Sequence, residues 1–207
     1  MEFKKAKRSE AYIKMGVRGS SGSGKTYGAL LLAKGLVGSW NKVCLIDTEN
    51  GSGSLYEDLG DYNTIQLDKF SPENYNKAID LCLENNIEAI VIDSISHEWD
   101  WVLEYQQALG GKFQDWNEAK RVHNTFVNKI LQCKAHVICT NRVKQEYAVE
   151  TNDKGKSIVK KLGLADKQQD GLNYEFTIVF DINSNHLCHS DKDRTRIFDG
   201  KADFIIT

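Results

Sequence analysis

The sequence predicts an α/β fold: a mostly parallel sheet with helices on both faces and a C-terminal antiparallel β extension. Three observations predict it. Short apolar runs alternate with helical stretches, two of those runs end on an aspartate, and a glycine-rich turn joins the first run to an apolar helix. Tyr12, Ile13, Met15 and Val17 give the first strand, and Tyr27 to Ala33 reads as the buried helix beyond the turn. Lys42 to Asp47 is a short apolar run of the kind found in parallel strands buried on both faces. The stretch from Glu49 to Tyr62 is glycine-rich and polar and is expected to be loop. Ser71-Pro72-Glu73 marks a helix start, with serine as N-cap and proline in the first turn. That helix is expected to turn Ala78, Ile79, Leu81 and Cys82 inward.

Ala89 to Asp93 gives the next buried strand. Helices are expected near 96–109 and 115–133, divided by Gly110-Gly111, followed by a strand over Ala135 to Thr140. From 144 onward the pattern turns to hairpins, with Lys154-Gly155-Lys156 at a turn. Tyr174 to Phe180 alternates, and His186 to Ser190 supplies a partner strand.

The chain has 207 residues, 41% hydrophobic and 27% charged, enough for a sizeable core. Residues 1–10 read as a basic N-terminal tail, and 11–207 as a single domain. The tail is a solvated segment or, alternatively, a contact to DNA or a neighbouring subunit. A formal net charge of −2 argues against a generally basic nucleic-acid protein, so any such site must be a local patch. Five cysteines form no C-x-x-C pair and fit a reducing cytoplasm. No apolar stretch is long enough to span a membrane.

Gly19-Ser20-Ser21-Gly22-Ser23-Gly24-Lys25-Thr26 matches G-x-x-x-x-G-K-[ST] between a strand and a helix, the context that this phosphate-binding motif requires. Without Cβ atoms, Gly19, Gly22 and Gly24 let the backbone take positive φ and turn its N–H groups around a polyphosphate. The following helix adds free N–H donors and a partial positive charge. Lys25 then reaches the β- and γ-phosphates, and the Thr26 hydroxyl ligates Mg²⁺. Asp93, at the end of its strand, lies where ligands bind in open α/β sheets and is suited to hold Mg²⁺ opposite Thr26. Ser94 and Ser96 read as helix caps. Glu49, just past the strand ending in Asp47, is placed to orient and deprotonate an attacking water. By spacing alone it is equally an exposed loop glutamate, while Asp47 is expected to stabilise the loop. Asn141 ends the strand at the same rim, in reach of a γ-phosphate.

These residues resemble those of the RecA-like core ATPases, and most of all the phage-encoded RecA-like single-strand-annealing ATPases of the Sak group. The resemblance rests on the loop at 19–26, Ile46-Asp47-Thr48-Glu49, Val91-Ile92-Asp93-Ser94-Ile95 and Cys139-Thr140-Asn141-Arg142-Val143-Lys144. It continues through Asp170 to Phe176 and Lys192-Asp193-Arg194-Thr195. It implies a RecA-like P-loop fold, ATP and Mg²⁺ as cofactors, and Glu49 as the catalytic base. It also implies that Lys192 and Arg194 reach a neighbouring subunit's nucleotide. Positions two apart on an extended segment point the same way, so both cations can approach one phosphate. Read without the resemblance, Asp191 to Arg194 is an ordinary solvated turn.

The resemblance further implies assembly with itself as ring or filament, and single-stranded DNA as partner, lined by residues near 100–116 and 144–161. A single-strand-binding protein is a further expected partner, and the expected setting is the cytoplasm of a bacterial host. Lys154, Lys156 and Lys160 on a glycine-tipped hairpin suit phosphate neutralisation, with Tyr147 nearby to stack a base. The same lysines also fit a solvated hairpin. Trp99, Trp101, Tyr105 and Trp116 read as core or interface residues. His186-Leu187-Cys188-His189 lacks the spacing of a structural zinc site.

Rival classes remain. Asp93-Ser94-Ile95-Ser96 lacks the Asp-x-x-Gly of a GTPase, and Asn76-Lys77-Ala78-Ile79-Asp80 has one residue too many for a guanine reader. A P-loop small-molecule kinase shares the first motif and would add an arginine-rich lid. A nucleotide-dependent assembly protein without DNA would not need Glu49.

Overall fold

The computed structural model describes residues 5, 11–151 and 157–207, the side chains of 145–164 excepted. The elements run β1 (Lys14–Gly19), α1 (Lys25–Val37), β2 (Val43–Asp47), β3 (Asn63–Gln66), α2 (Pro72–Glu84), β4 (Ala89–Asp93) and α3 (Ser96–Leu109). They continue with α4 (Trp116–Gln132), β5 (His136–Thr151), β6 (Ser157–Asp166), α5 (Leu172–Glu175), β7 (Ile178–Ile182) and β8 (Cys188–Asp193). The sheet order is β3-β2-β4-β5-β1-β7-β8, with β6 paired to β5 outside that path. All neighbours in the path are parallel except β7 and β8.

β2 and β4 lie between two helical layers, which is why both are apolar up to their terminal aspartates and buried at every residue. Met15, Val17, Leu45, Val91 and Ile138 face α1, whose Ala29, Leu30 and Ala33 complete that layer. Cys44, Ile46, Ile90, Ile92 and Cys139 face the opposite layer, built on α2 and α4. There Tyr75 and Phe126 pack with ring centroids 4.9 Å apart, both fully buried.

The helix boundaries follow the local chemistry. Ser71 Oγ accepts from the Asn74 amide and Pro72 opens α2, as its sequence predicts. α3 stops at Gly110, which takes a φ of +135° that favours glycine.

Several expectations are corrected. Leu81 does not turn inward but is 47% exposed, on the outer side of α2. The stretch expected to be loop holds a 3-10 turn over Ser52–Leu59, and a short edge strand, β3, follows it. Tyr174 and Glu175 belong to α5, and the strand begins only at Ile178. Its partner is Cys188–Asp193, further along than His186 to Ser190. Ser94 and Ser96 do not cap α3, whose N-cap is Ile95 without a side-chain bond. Ser96 instead donates to Asn141 Oδ1 at 2.8 Å.

The hairpin expected from 144 is an arm made by β5 running on past the sheet. Up to Arg142 the strand pairs with β1; from Val143 it pairs antiparallel with β6. Lys154 and Lys156 lie outside the described residues, as does the tail apart from residue 5. Lys160 and Tyr147 fall on β6 and β5 within the stretch whose side chains are not described. Among the described residues no helix is long and apolar enough to cross a membrane.

Phe126→Ala removes a fully buried ring between two helices and the sheet. It is expected to lower unfolding free energy by about 3–5 kcal/mol, read by denaturant titration; a loss under about 1 kcal/mol would contradict this packing.

Candidate active site

Parallel register brings the carboxyl ends of the strands to one rim. Asp47 pairs with Asp93, and Gly19 pairs with both Arg142 and Ile182. Side chains from four strands therefore converge although their sequence positions are far apart.

The loop at 19–26 turns directly into α1. Gly22 and Gly24 have φ of 75° and 92°. Gly24 is also the N-cap of α1, with no side chain closing the helix end, so the first-turn N–H groups face outward as anion donors. Gly19 is glycine for a different reason from the one predicted. A Cβ there would come within 2.4 Å of the Ile182 carbonyl and 2.6 Å of Ser23 Oγ. Close approach to β7, not positive φ, forbids a side chain. Ser20 accepts from Lys25 Nζ at 2.8 Å through its carbonyl, and Ser21 is exposed.

Lys25 is nearly buried, and burial pushes its pKa down; Asp93 and Glu49 push it up again, and Arg142 lowers it. Asp93, Glu49 and Arg142 therefore all act on the Lys25 ammonium. Thr26 Oγ1 donates to Asp93 Oδ2 at 2.5 Å, and the Thr140 hydroxyl donates to Asp93 Oδ1. Burial raises the Asp93 pKa, and the two threonine hydroxyls oppose that by stabilising the carboxylate. A hydroxyl and a carboxylate oxygen in contact at the loop's mouth form the hard-oxygen set that magnesium favours, so these residues fit that ion.

Asp47 stabilises the following turn, as expected. Its Oδ1 accepts from the Glu49 amide at 2.6 Å and its Oδ2 from the Gly53 amide at 2.8 Å. Glu49 thus starts from a fixed backbone at the same rim. Its carboxylate is not free: Arg142 Nη2 and Nε donate to Oε1 at 2.8 and 3.1 Å. Asn141 is buried, with its amide oxygen held by Ser96.

Lys192 and Arg194 stand away from this rim. Lys192 Nζ donates to the Asn173 and Tyr174 carbonyls at 2.8 and 2.6 Å, and Arg194 Nη2 donates to the Tyr174 carbonyl at 2.6 Å. The two cations do point the same way, toward the carbonyl end of α5.

Several residues of the site were not found by sequence reasoning. A cavity of about 480 Å³ adjoins Gly22, Ser23 and Gly24 on the side of α1. Tyr27, Tyr56, Ile182, Asn185, His186 and Ile206 form its walls. The Tyr27 and Tyr56 rings meet edge to face, 6.1 Å apart. His186 Nδ1 lies 3.0 Å from the Ser23 carbonyl, so it carries the proton and donates, tying the β7–β8 turn to the loop. The histidine cluster is thereby divided: His189 Nδ1 sits 2.8 Å from Asp203, and Cys188 is buried. Arg142 directly follows Asn141, where β5 leaves β1, and that adjacency was the available signal. Nothing in the local sequence marks Ile206 or His186.

Gly24→Ala puts a side chain at φ 92°, 3.2 Å from His186 Nδ1. It is expected to cost about 1–2 kcal/mol in stability and to weaken magnesium-nucleotide binding by about tenfold or more. Calorimetric titration reads the second effect, and unchanged affinity would contradict the loop geometry.

The family model described as an AAA domain matches residues 11–202. No curated protein matches the chain. With a phosphate loop, a buried acid opposite it and a match over nearly the whole length, the chain belongs to the AAA-domain family, a group of P-loop ATPases.

Proposed function

We propose that the protein is a RecA-like, magnesium-dependent ATPase that assembles with copies of itself and acts on single-stranded DNA. Phage recombination or single-strand annealing, as in the Sak group, is the role this reading favours. The observation that carries it is the convergence of Lys25, Thr26, Asp93 and Glu49 on one rim, around a loop of free amides.

The triphosphate lies along the loop, with Lys25 on its β- and γ-phosphates. The cavity beside the loop, walled by Tyr27, Tyr56 and Ile206, has the flat, apolar character that suits adenine. Thr26 and Asp93 would hold magnesium, which would supply charge neutralisation on the phosphate oxygens. Glu49 orients the attacking water and takes its proton, an effect worth about 10²–10⁴-fold in rate. Asn141 faces the γ-phosphate from the neighbouring strand. Lys192 and Arg194 of an adjacent subunit complete the site; within their own subunit they bond to α5 carbonyls and do not reach it.

Support for DNA comes from the arm. Of its expected contacts, Lys160 falls on β6, which pairs with the strand that carries Asn141 and Arg142 to the rim, while Lys154 and Lys156 lie outside the described residues. A groove of about 700 Å³ at the arm's root adds aromatic faces and lysines, which suit stacked bases and phosphates. Trp99 and Trp116 stack there 6.1 Å apart, beside the exposed Phe113 and Lys120. Lys167 in the same groove is engaged by Asp100 at 2.7 Å.

Phosphate release is expected with water as acceptor, separating this reading from a kinase, and to rise with single-stranded DNA. Hydrolysis indifferent to DNA, with no DNA bound at low salt, would remove the DNA part. Glu49→Gln should lower kcat by about 10²–10⁴-fold without loss of nucleotide binding. Arg194→Ala should be similarly slow alone, yet regain turnover when mixed with Glu49→Gln, because each subunit supplies what its neighbour lacks. Mixtures no faster than their components would rule out completion in trans.

A further inference from the structure

We infer that Arg142 is a ligand of the γ-phosphate that holds Glu49 until a triphosphate draws it away, so the base is freed only when the third phosphate is bound. The inference rests on the ATPase reading above and names a further residue of that site.

Three observations carry it. First, both donors on one edge of the Arg142 guanidinium close on a single oxygen, Glu49 Oε1. A carboxylate engaged in this way is poorly placed to take a proton from water. Second, the Arg142 backbone is fixed beside the phosphate loop. It is in register with Gly19, and its amide donates to Ser96 Oγ at 2.9 Å. The side chain is 40% exposed and Glu49 28% exposed, so the pair is solvent-screened and readily exchanged. Third, Glu49, the partner of Arg142, follows β2 at the rim where Asp47 is in register with Asp93, and the Asp93 carboxylate is bonded to Thr26 beside Lys25, so the pair stands on the loop's side of the sheet.

A γ-phosphate offers more charge and more acceptor oxygens than one carboxylate oxygen, in a geometry a guanidinium matches. A diphosphate, ending one group earlier, leaves the arginine on Glu49. Arg142 is also the last residue of β5 paired to β1, and Val143 begins the pairing with Asp166. Exchange of its partner therefore occurs at the base of the arm.

The test is titration of the full chain with magnesium ADP and with magnesium adenylyl imidodiphosphate, which is not hydrolysed. Arg142→Gln is expected to reduce the preference for the triphosphate by about tenfold or more, and Arg142→Lys to restore part of it. Glu49→Gln, which loosens the competing pair, is expected to tighten triphosphate binding by about threefold or more and leave ADP unchanged. A merely structural pair would move neither ratio. If the unaltered protein binds both nucleotides and neither ratio moves, the inference is overturned alone; if it binds neither nucleotide, the ATPase reading falls and the inference with it.

Discussion

A carboxylate buried at the end of a central strand organises this molecule. Asp93 lies between two threonine hydroxyls, one from the first turn of α1 and one from β5. Leaving such a charge without partners inside a protein costs about 3–5 kcal/mol. The fold therefore has to bring Thr26 and Thr140 to it, and in doing so fixes the phosphate loop against β4. Thr48 adds a second tie, since its amide and hydroxyl both donate to the Asp93 carbonyl, at 2.8 and 3.0 Å. What makes the site also locks the ends of β2, β4 and β5 together.

Much of this was legible in the sequence because much of it is local. The loop at 19–26 works through its own backbone, and its spacing therefore displays its chemistry directly. Apolar runs of four or five residues announce strands covered on both faces, and the acid after Ile92 marks the rim. The Glu49–Arg142 pair was not legible, because its partners are 93 residues apart and meet only through sheet order. The wall made by Ile206 and His186 was hidden for the same reason: a C-terminal segment and a turn return to cover α1, with the Ile206 side chain lying where a Gly28 Cβ would come within 3.0 Å of it. Gly19 was identified correctly and explained wrongly, since the motif does not reveal that β7 presses on it.

Errors in the elements share one physical cause. Periodicity reports burial, and burial depends on neighbours that sequence does not supply. Leu81 looked like part of the inner stripe of α2, yet that stripe is Tyr75, Ala78, Ile79 and Cys82, and Leu81 lies outside it. Tyr174 fitted an alternating strand, yet Gly171 at φ 93° turns the chain into α5 first. Ser96 resembled a cap, but its hydroxyl is engaged between Asn141 and the Arg142 amide. That bond links the start of α3, the helix that carries Trp99 into the tryptophan groove, to β5 beside the loop.

The architecture thus joins three surfaces through one strand. β5 carries Thr140 to the buried acid, Asn141 and Arg142 to the rim, and then leaves the sheet as the arm. The central claim beneath this arrangement is that backbone amides of the loop grip a polyphosphate opposite Asp93. Amide resonances of Gly22 to Thr26, followed by nuclear magnetic resonance as magnesium ADP is added, test it most directly. The account expects these amide protons to move strongly downfield, more than those of any other segment. Saturating nucleotide that leaves them in place while another surface responds would contradict it.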